Sequence, residues 1–184
     1  MVSEVWVVTS TVLIVALFLP YLKKKDTTGN PRKEDVFFQV PALLVLTVIL
    51  FVSFGNLSYP LFSIRSPMNV AGALMFIVSL IIRLSAHVTI NTNYSWTLEI
   101  REGHTLVEDG LYRYVRHPIY FGTFIGVMAI PIYMSSLPGF LLCFLAIPVL
   151  NYRIGIEERM LIEEFGEEYE RYKERTWRLF PYIY

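Results

Sequence analysis

Residues 113–122 read Arg-Tyr-Val-Arg-His-Pro-Ile-Tyr-Phe-Gly, and further on come Glu157-Glu158 and Phe165-Gly166-Glu167-Glu168-Tyr169. An apolar stretch long enough for a membrane hairpin separates the two clusters, so both fall at the same mouth of a helix pair. Proline suits the first turn of a helix because its missing N–H needs no partner there, so Arg116-His117-Pro118 opens a helix. The free N–H groups that follow, with the helix dipole, make a local positive site for a carboxylate or a ring-nitrogen acceptor. Tyr120 and Gly122 follow, the glycine allowing close approach of a ligand or a helix. The plainer alternative is an ordinary helix start with Arg, His and Tyr as interfacial anchors.

Arg153 and Glu157 are four residues apart and share one helix face. A cation and an anion so placed suit the two ends of a zwitterion; the alternative is a surface ion pair, which is worth little. Arg83 and His87 repeat that spacing in an apolar segment, where ionisable groups mark function by default. Arginine near the end of a span can also snorkel to the headgroups, and neither residue is assigned a role. His104, in Gly103-His104-Thr105-Leu106-Val107, is either a ligand contact or a packed loop residue. The three histidines are scattered with no His-x-x-x-His spacing, so no metal site is expected.

The elements that must position these groups are membrane helices. The 184 residues are 54% apolar and only 17% charged, where soluble domains hold about 25% charge. Mean hydropathy is positive. Net charge is zero, which gives no footprint for nucleic acid, and the single Cys143 excludes a disulfide framework within one chain. Residues 5–22, 36–58 and 68–90 are each long and apolar enough to span a bilayer, and 118–152 holds two shorter spans around Ser135-Ser136-Leu137-Pro138-Gly139. The expectation is an all-α integral membrane protein of five transmembrane helices, a single domain over 1–184, with three N-terminal spans in 1–90 and the catalytic part in 91–184. The first span ends in Pro20-Tyr21-Leu22-Lys23-Lys24-Lys25 and has no basic n-region or cleavage site, so it is expected to be retained. Pro131 and Pro148 should kink the last two spans.

Five spans put the basic segments 23–33, 91–117 and 153–178 on one side and leave only Arg65 in the opposite loops. The positive-inside rule then sets the N-terminus outside and the C-terminus in the cytoplasm. Along 157–175, Met160, Leu161, Phe165, Tyr169 and Tyr172 form an apolar stripe, predicting one amphipathic helix against the cytoplasmic mouth or the interface. Loop 91–117 is long, and Trp96, Ile100, Leu106, Val107, Leu111 and Tyr112 predict that it is packed.

The ordered set His104-Thr105-Leu106-Val107, Gly110-Leu111-Tyr112, Arg116-His117-Pro118-Ile119-Tyr120-Phe121-Gly122, Arg153, Glu157-Glu158 and Phe165-Gly166-Glu167-Glu168-Tyr169 with Pro181 resembles the isoprenylcysteine carboxyl methyltransferase family. The resemblance covers residues 91–184 and is to the compact prokaryotic type; the first 90 residues match only as hydrophobic spans. It implies S-adenosylmethionine as cofactor, with S-adenosylhomocysteine as product. It further implies that His104, Thr105, Leu106, Val107 and Tyr112 line an adenosine pocket, and that His117, Pro118, Ile119 and Tyr120 hold the cofactor. Glu157 would bind the methionine ammonium with Glu158 in support, and Arg153 would pair with the carboxylate of the methyl acceptor. Arg153 and Glu158 are thus the expected catalytic residues.

The implied partner is a lipophilic small molecule or prenylated cysteine reached laterally from membrane lipid, the cofactor entering from the cytoplasm. The membrane would be the cell membrane in a prokaryote and the endoplasmic reticulum in a eukaryote. A carboxylate acceptor needs no general base, being ionised at neutral pH. Rival readings are a phospholipid or small-thiol methyltransferase, an NADPH-dependent membrane sterol reductase, and a non-enzymatic membrane protein. The physiological acceptor and the oligomeric state are not legible in the residues.

Overall fold

The computed structural model describes residues 42, 44–53, 67–90 and 106–182 of the chain. The described elements are helices, with one isolated parallel bridge between Val115 and Trp177. In order they are α1 (Leu44–Ser53), α2 (Pro67–Ile90), a 3-10 turn (Gly110–Arg113), α3 (Pro118–Tyr133), α4 (Leu137–Leu142), a second 3-10 turn (Cys143–Leu145), α5 (Ala146–Phe165) and α6 (Glu167–Arg175).

α2 realises the span expected at 68–90, and α1 lies within that expected at 36–58. The span expected at 5–22, the basic segment 23–33 and loop residues 91–105, with His104 and Thr105, lie outside the described residues. Two described helical stretches, Pro67–Ile90 and Leu137–Phe165, are long and apolar enough to cross a membrane. On α2, Leu74, Ile77, Ile81, Leu84 and Val88 recur every three or four residues as one exposed apolar stripe, the composition of a lipid-facing surface.

The chain divides into two compact units. The first holds the described part of Met1–Phe76 with Val127–Val149. Two prolines lie within helices of this unit. Pro131 sits inside α3 and denies the carbonyl of Val127 its helical partner. The Cys143 thiol lies 3.7 Å from that carbonyl and 3.3 Å from the Gly139 carbonyl, so its one S–H is shared between them. In lipid a freed carbonyl must find such a substitute. Pro148 lies just after the 3-10 turn Cys143–Leu145, where its ring would clash with the carbonyl of Phe144 in a regular α-helix; the tighter turn removes the clash. Between α3 and α4 the chain reverses at Ser135 (φ +54°), and Ser136 caps α4 by accepting from the Gly139 N–H at 3.2 Å.

The second unit holds Ile77–Gly126 with Leu150–Tyr184. Gly122 and Gly126 are four apart on α3 and face Ser79, Ile82 and Arg83 of α2. A β-carbon on Gly122 would lie 2.7 Å from Arg83 Cγ, and one on Gly126 would lie 2.6 Å from Ser79 Oγ. This is a small-residue contact that lets two membrane helices approach closely. The helix expected over 157–175 is broken at Gly166. That residue adopts φ +53°, its N–H closes α5 on the Ile162 carbonyl at 2.8 Å, and α6 starts afresh at Glu167. Glu167, Glu168 and Glu170 stand in the first turn of α6 and Lys173 and Arg175 in the last, the order the helix dipole favours.

Candidate functional site

The site is built at the start of α3 and the polar end of α5, both in the second unit. His117 immediately precedes α3; its carbonyl accepts the Phe121 N–H at 3.1 Å, and its ring is 4% exposed. Glu158 reaches this corner. Its Oε1 accepts from Arg116 Nε at 2.7 Å and lies 3.4 Å from His117 Nε2, while its Oε2 pairs with Arg178 Nη2 at 2.8 Å. Glu158 is therefore held by three side chains, those of Arg116, His117 and Arg178. Burial alone would raise the Glu158 pKa, but the hydrogen bonds and charges of His117 and Arg116 outweigh it and hold the carboxyl at about 2.

The neighbouring Glu157 stands differently. Its Oε2 is buried, lies 4.0 Å from His117 Nδ1 and makes no hydrogen bond among the described residues. Arg153, one turn earlier on α5, is 5% exposed, so it is no surface ion-pair partner. The Tyr120 hydroxyl interacts with both Arg153 and Glu157. A phenol, a buried cation and a carboxylate oxygen open to a donor therefore converge in one place.

The tail fastens this corner. Arg116 Nη1 donates to the Thr176 carbonyl at 2.6 Å, and the Arg116 N–H to the Trp177 carbonyl at 2.9 Å. The Trp177 N–H donates to the Tyr114 carbonyl at 2.9 Å. The Tyr172 hydroxyl donates to the Tyr112 carbonyl at 2.7 Å, and the Phe180 ring meets Phe121 and Phe124 edge-on. Beside the Glu158 pair an open cavity of about 530 Å³ is lined by Arg116, Glu158, Lys173, Thr176, Trp177 and Arg178.

Of the residues singled out from sequence, His117, Tyr120, Arg153, Glu157 and Glu158 come together. Pro118 is buried and Ile119 half-buried in the first turn of α3. Leu106 and Val107 are half-buried ahead of the 3-10 turn, and Tyr112 is buried and tied to the tail through its carbonyl. Arg83 packs across Gly122, and its Nε is buried without a hydrogen bond among the described residues. Reading by motif missed Arg178, Thr176, Tyr172 and the anchoring role of Arg116. These act across 60 residues in the cases of Tyr172 and Thr176, a separation with no local signal. Among the described residues no group of His, Cys, Asp and Glu is arranged to hold a metal ion.

The fold matches that of a eukaryotic intramembrane Ras methyltransferase, an isoprenylcysteine carboxyl methyltransferase, with a TM-score of 0.61 at 23% identity, over 95% of this chain and 62% of the other. The two share a helical fold.

The chain belongs to the phospholipid methyltransferase family, whose profile matches residues 67–168. It is 33% identical over 118 residues to a protein-S-isoprenylcysteine O-methyltransferase of Dictyostelium discoideum, covering 61% of this chain and 49% of that one. It is 43% identical over 74 residues to a methanethiol S-methyltransferase of Bradyrhizobium diazoefficiens, covering 39% of this chain and 25% of that one. The resemblance carried by the Arg116–Gly122 and Glu157–Glu158 motifs is thus borne out. The chain spans half or less of the length of these relatives.

Proposed function

We propose that the protein is an integral-membrane, S-adenosylmethionine-dependent methyltransferase. In this reading it methylates the carboxylate of a lipophilic acceptor, a prenylated cysteine or a similar molecule, at the cytoplasmic mouth of five transmembrane helices whose N-terminus lies outside. The observation that carries the reading is the buried Arg153 set beside Glu157 around the Tyr120 hydroxyl.

The residues present fit the cofactor. Its methionine end carries an ammonium, and the buried Glu157 Oε2 is a carboxylate oxygen with no hydrogen bond among the described residues. Bound there, the cofactor supplies a methyl group on a positively charged sulfur. The protein's part is binding and orientation. Glu157 takes the ammonium, with His117 Nδ1 as a second acceptor 4.0 Å away. Glu158, engaged by Arg116 and Arg178, fixes the His117 ring rather than meeting the ligand. The resemblance assigns the adenosine end to Leu106, Val107 and Tyr112, with His104 and Thr105.

Arg153 orients the acceptor carboxylate. No base is required of the protein, because that carboxylate is ionised at neutral pH. The guanidinium must hold the carboxylate loosely enough that its charge can be lost as the ester forms. Burial of Arg153 keeps water from competing as acceptor and strengthens the pairing.

One observation favours a second reading, methylation of a small thiol: the 43% identity over 74 residues to a methanethiol S-methyltransferase. A thiol must lose a proton before it reacts at neutral pH, and the Tyr120–Glu157 contact is the pair placed to take it.

The test is calorimetric titration of the detergent-purified protein with S-adenosylhomocysteine, followed by radiolabelled methyl transfer to N-acetyl-S-farnesylcysteine and to short thiols. The expected result is cofactor binding lost in Glu157→Ala, with base-labile methyl incorporation into the farnesylcysteine. Folded wild-type protein that does not bind the ligand would sink the methyltransferase reading; incorporation into thiols alone would replace the carboxylate reading by the thiol one.

A further inference from the structure

Two tyrosines stand three residues apart on α6, both almost fully enclosed, with ring centroids 5.8 Å apart. The Tyr172 hydroxyl is satisfied by the Tyr112 carbonyl at 2.7 Å. The Tyr169 hydroxyl, on a residue 1% exposed, has no hydrogen-bond partner among the described residues. Leaving a buried hydroxyl unpaired forfeits the hydrogen bond it makes in water, so such a group calls for an explanation.

Its surroundings supply one. The hydroxyl feels the charges of Glu158, Glu157 and Arg116, the residues that build the candidate site. Burial first, then Glu158 and Glu157, push its pKa upward, so it stays a protonated donor at neutral pH. Glu157 Oε2 is a buried acceptor without a hydrogen bond among the described residues. Donor and acceptor are not bonded to each other. A ligand that presents an acceptor and a cationic donor on neighbouring atoms, the chemistry of an α-amino acid, would satisfy both.

We propose that Tyr169 is a cofactor-binding residue whose hydroxyl donates to the carboxylate of the amino-acid end of the ligand, while Glu157 accepts from the ammonium of that same end. The inference rests on the methyltransferase reading above and adds to it a contact from α6. It also gives the break at Gly166 a purpose: the positive φ there starts a new helix direction that carries Tyr169 into the corner.

The test uses the full chain in detergent and three probes: S-adenosylhomocysteine, its decarboxylated analogue, and 5′-methylthioadenosine. A charge-assisted hydrogen bond predicts that Tyr169→Phe weakens S-adenosylhomocysteine about tenfold or more while leaving the other two probes at wild-type affinity. Retained binding of those two also shows that the variant is folded. Unchanged affinity for S-adenosylhomocysteine, or an equal loss for all three, overturns the proposal. Should Tyr169→Phe fail to fold, the wild-type protein still decides: it should prefer S-adenosylhomocysteine over the decarboxylated analogue about tenfold, and equal affinities overturn the proposal. Wild-type protein that binds none of the three fails the methyltransferase reading itself, which is a different outcome from binding that survives Tyr169→Phe.

Discussion

Arg178 Nη2 lies 2.8 Å from Glu158 Oε2, tying the segment after α6 to the polar end of α5. The other oxygen of the same carboxylate takes Arg116 at 2.7 Å, so one anion joins the entry to α3, the end of α5 and the tail. Removing the shared anion leaves two guanidinium groups facing each other, whereas removing one cation leaves the other in place. Glu158→Gln should therefore destabilise more than Arg178→Ala, by roughly 2–4 against 1–2 kcal/mol for these partly buried pairs. Thermal unfolding in detergent checks the order, and hydrogen exchange should show residues 176–182 losing protection in both variants. Equal effects would mean that Glu158 is not the hub.

The same carboxylate sets an acid limit. Its pKa lies at about 2 in the folded protein against 4.5 for the free group. A depressed folded value means that its stabilisation is complete above the unfolded value and drains away as pH falls from about 4.5 towards 2. The melting temperature should hold from neutral pH to about pH 5 and then drop steadily. Glu158→Gln should start lower and lose less across that window. A wild-type profile no steeper than the variant's below pH 4.5 would contradict the assignment.

The Gly126 contact yields a rescue experiment. A β-carbon there meets Ser79 Oγ at 2.6 Å but Ser79 Cβ only at 3.5 Å, an ordinary contact distance. Gly126→Ala should destabilise, and adding Ser79→Ala should recover most of the loss, because the clashing oxygen is gone. Gly126→Leu should not be rescued. Melting temperatures of the four proteins decide the matter, and additive effects of the two alanines would show that the helices do not meet there.

How far the sequence reveals all this depends on the kind of constraint. The span at 68–90 and the turn at Ser135–Gly139 are legible because lipid demands continuous apolar helix and turn residues interrupt it. The start of α3 at Pro118 is legible because proline has one favoured place in a helix. The break at Gly166 is not, since the apolar stripe from Met160 to Tyr172 continues across it and only the glycine hints at a positive φ. At the site, the meeting of the Arg116-His117 cluster with Glu157-Glu158 at one mouth is legible, because an apolar hairpin separates them in sequence. Which glutamate serves the scaffold is not, because Glu158 is chosen by Arg116, 42 residues away, and by Arg178 in the tail, and no short-range period encodes either pair.

Tyr172 should matter for stability and not for chemistry. Its hydroxyl serves the Tyr112 carbonyl at 2.7 Å, a buried backbone acceptor that phenylalanine would leave unmet. Tyr172→Phe should cost about 1–2 kcal/mol. It should leave S-adenosylhomocysteine affinity unchanged at temperatures well below unfolding. Weaker ligand binding without loss of stability would reverse the division of labour between Tyr172 and Tyr169.

Arg153 separates acceptor binding from cofactor binding. It is buried one turn before Glu157 and shares the Tyr120 hydroxyl with it, so a structural role would disturb both ligands and an acceptor role only one. Arg153→Lys keeps the charge but loses the planar fork that matches a carboxylate. It should raise KM for a farnesylcysteine acceptor about tenfold while S-adenosylhomocysteine binds within a factor of about two of wild type. Arg153→Gln, which retains a donor but no charge, should lower kcat/KM by a further factor of about ten, because the acceptor carboxylate then has no counterion in a buried site. The pattern to measure is the split between KM, kcat and cofactor affinity across the two variants. A parallel fall in cofactor affinity would remove Arg153 from the acceptor side and make it a support for Glu157 and Tyr120.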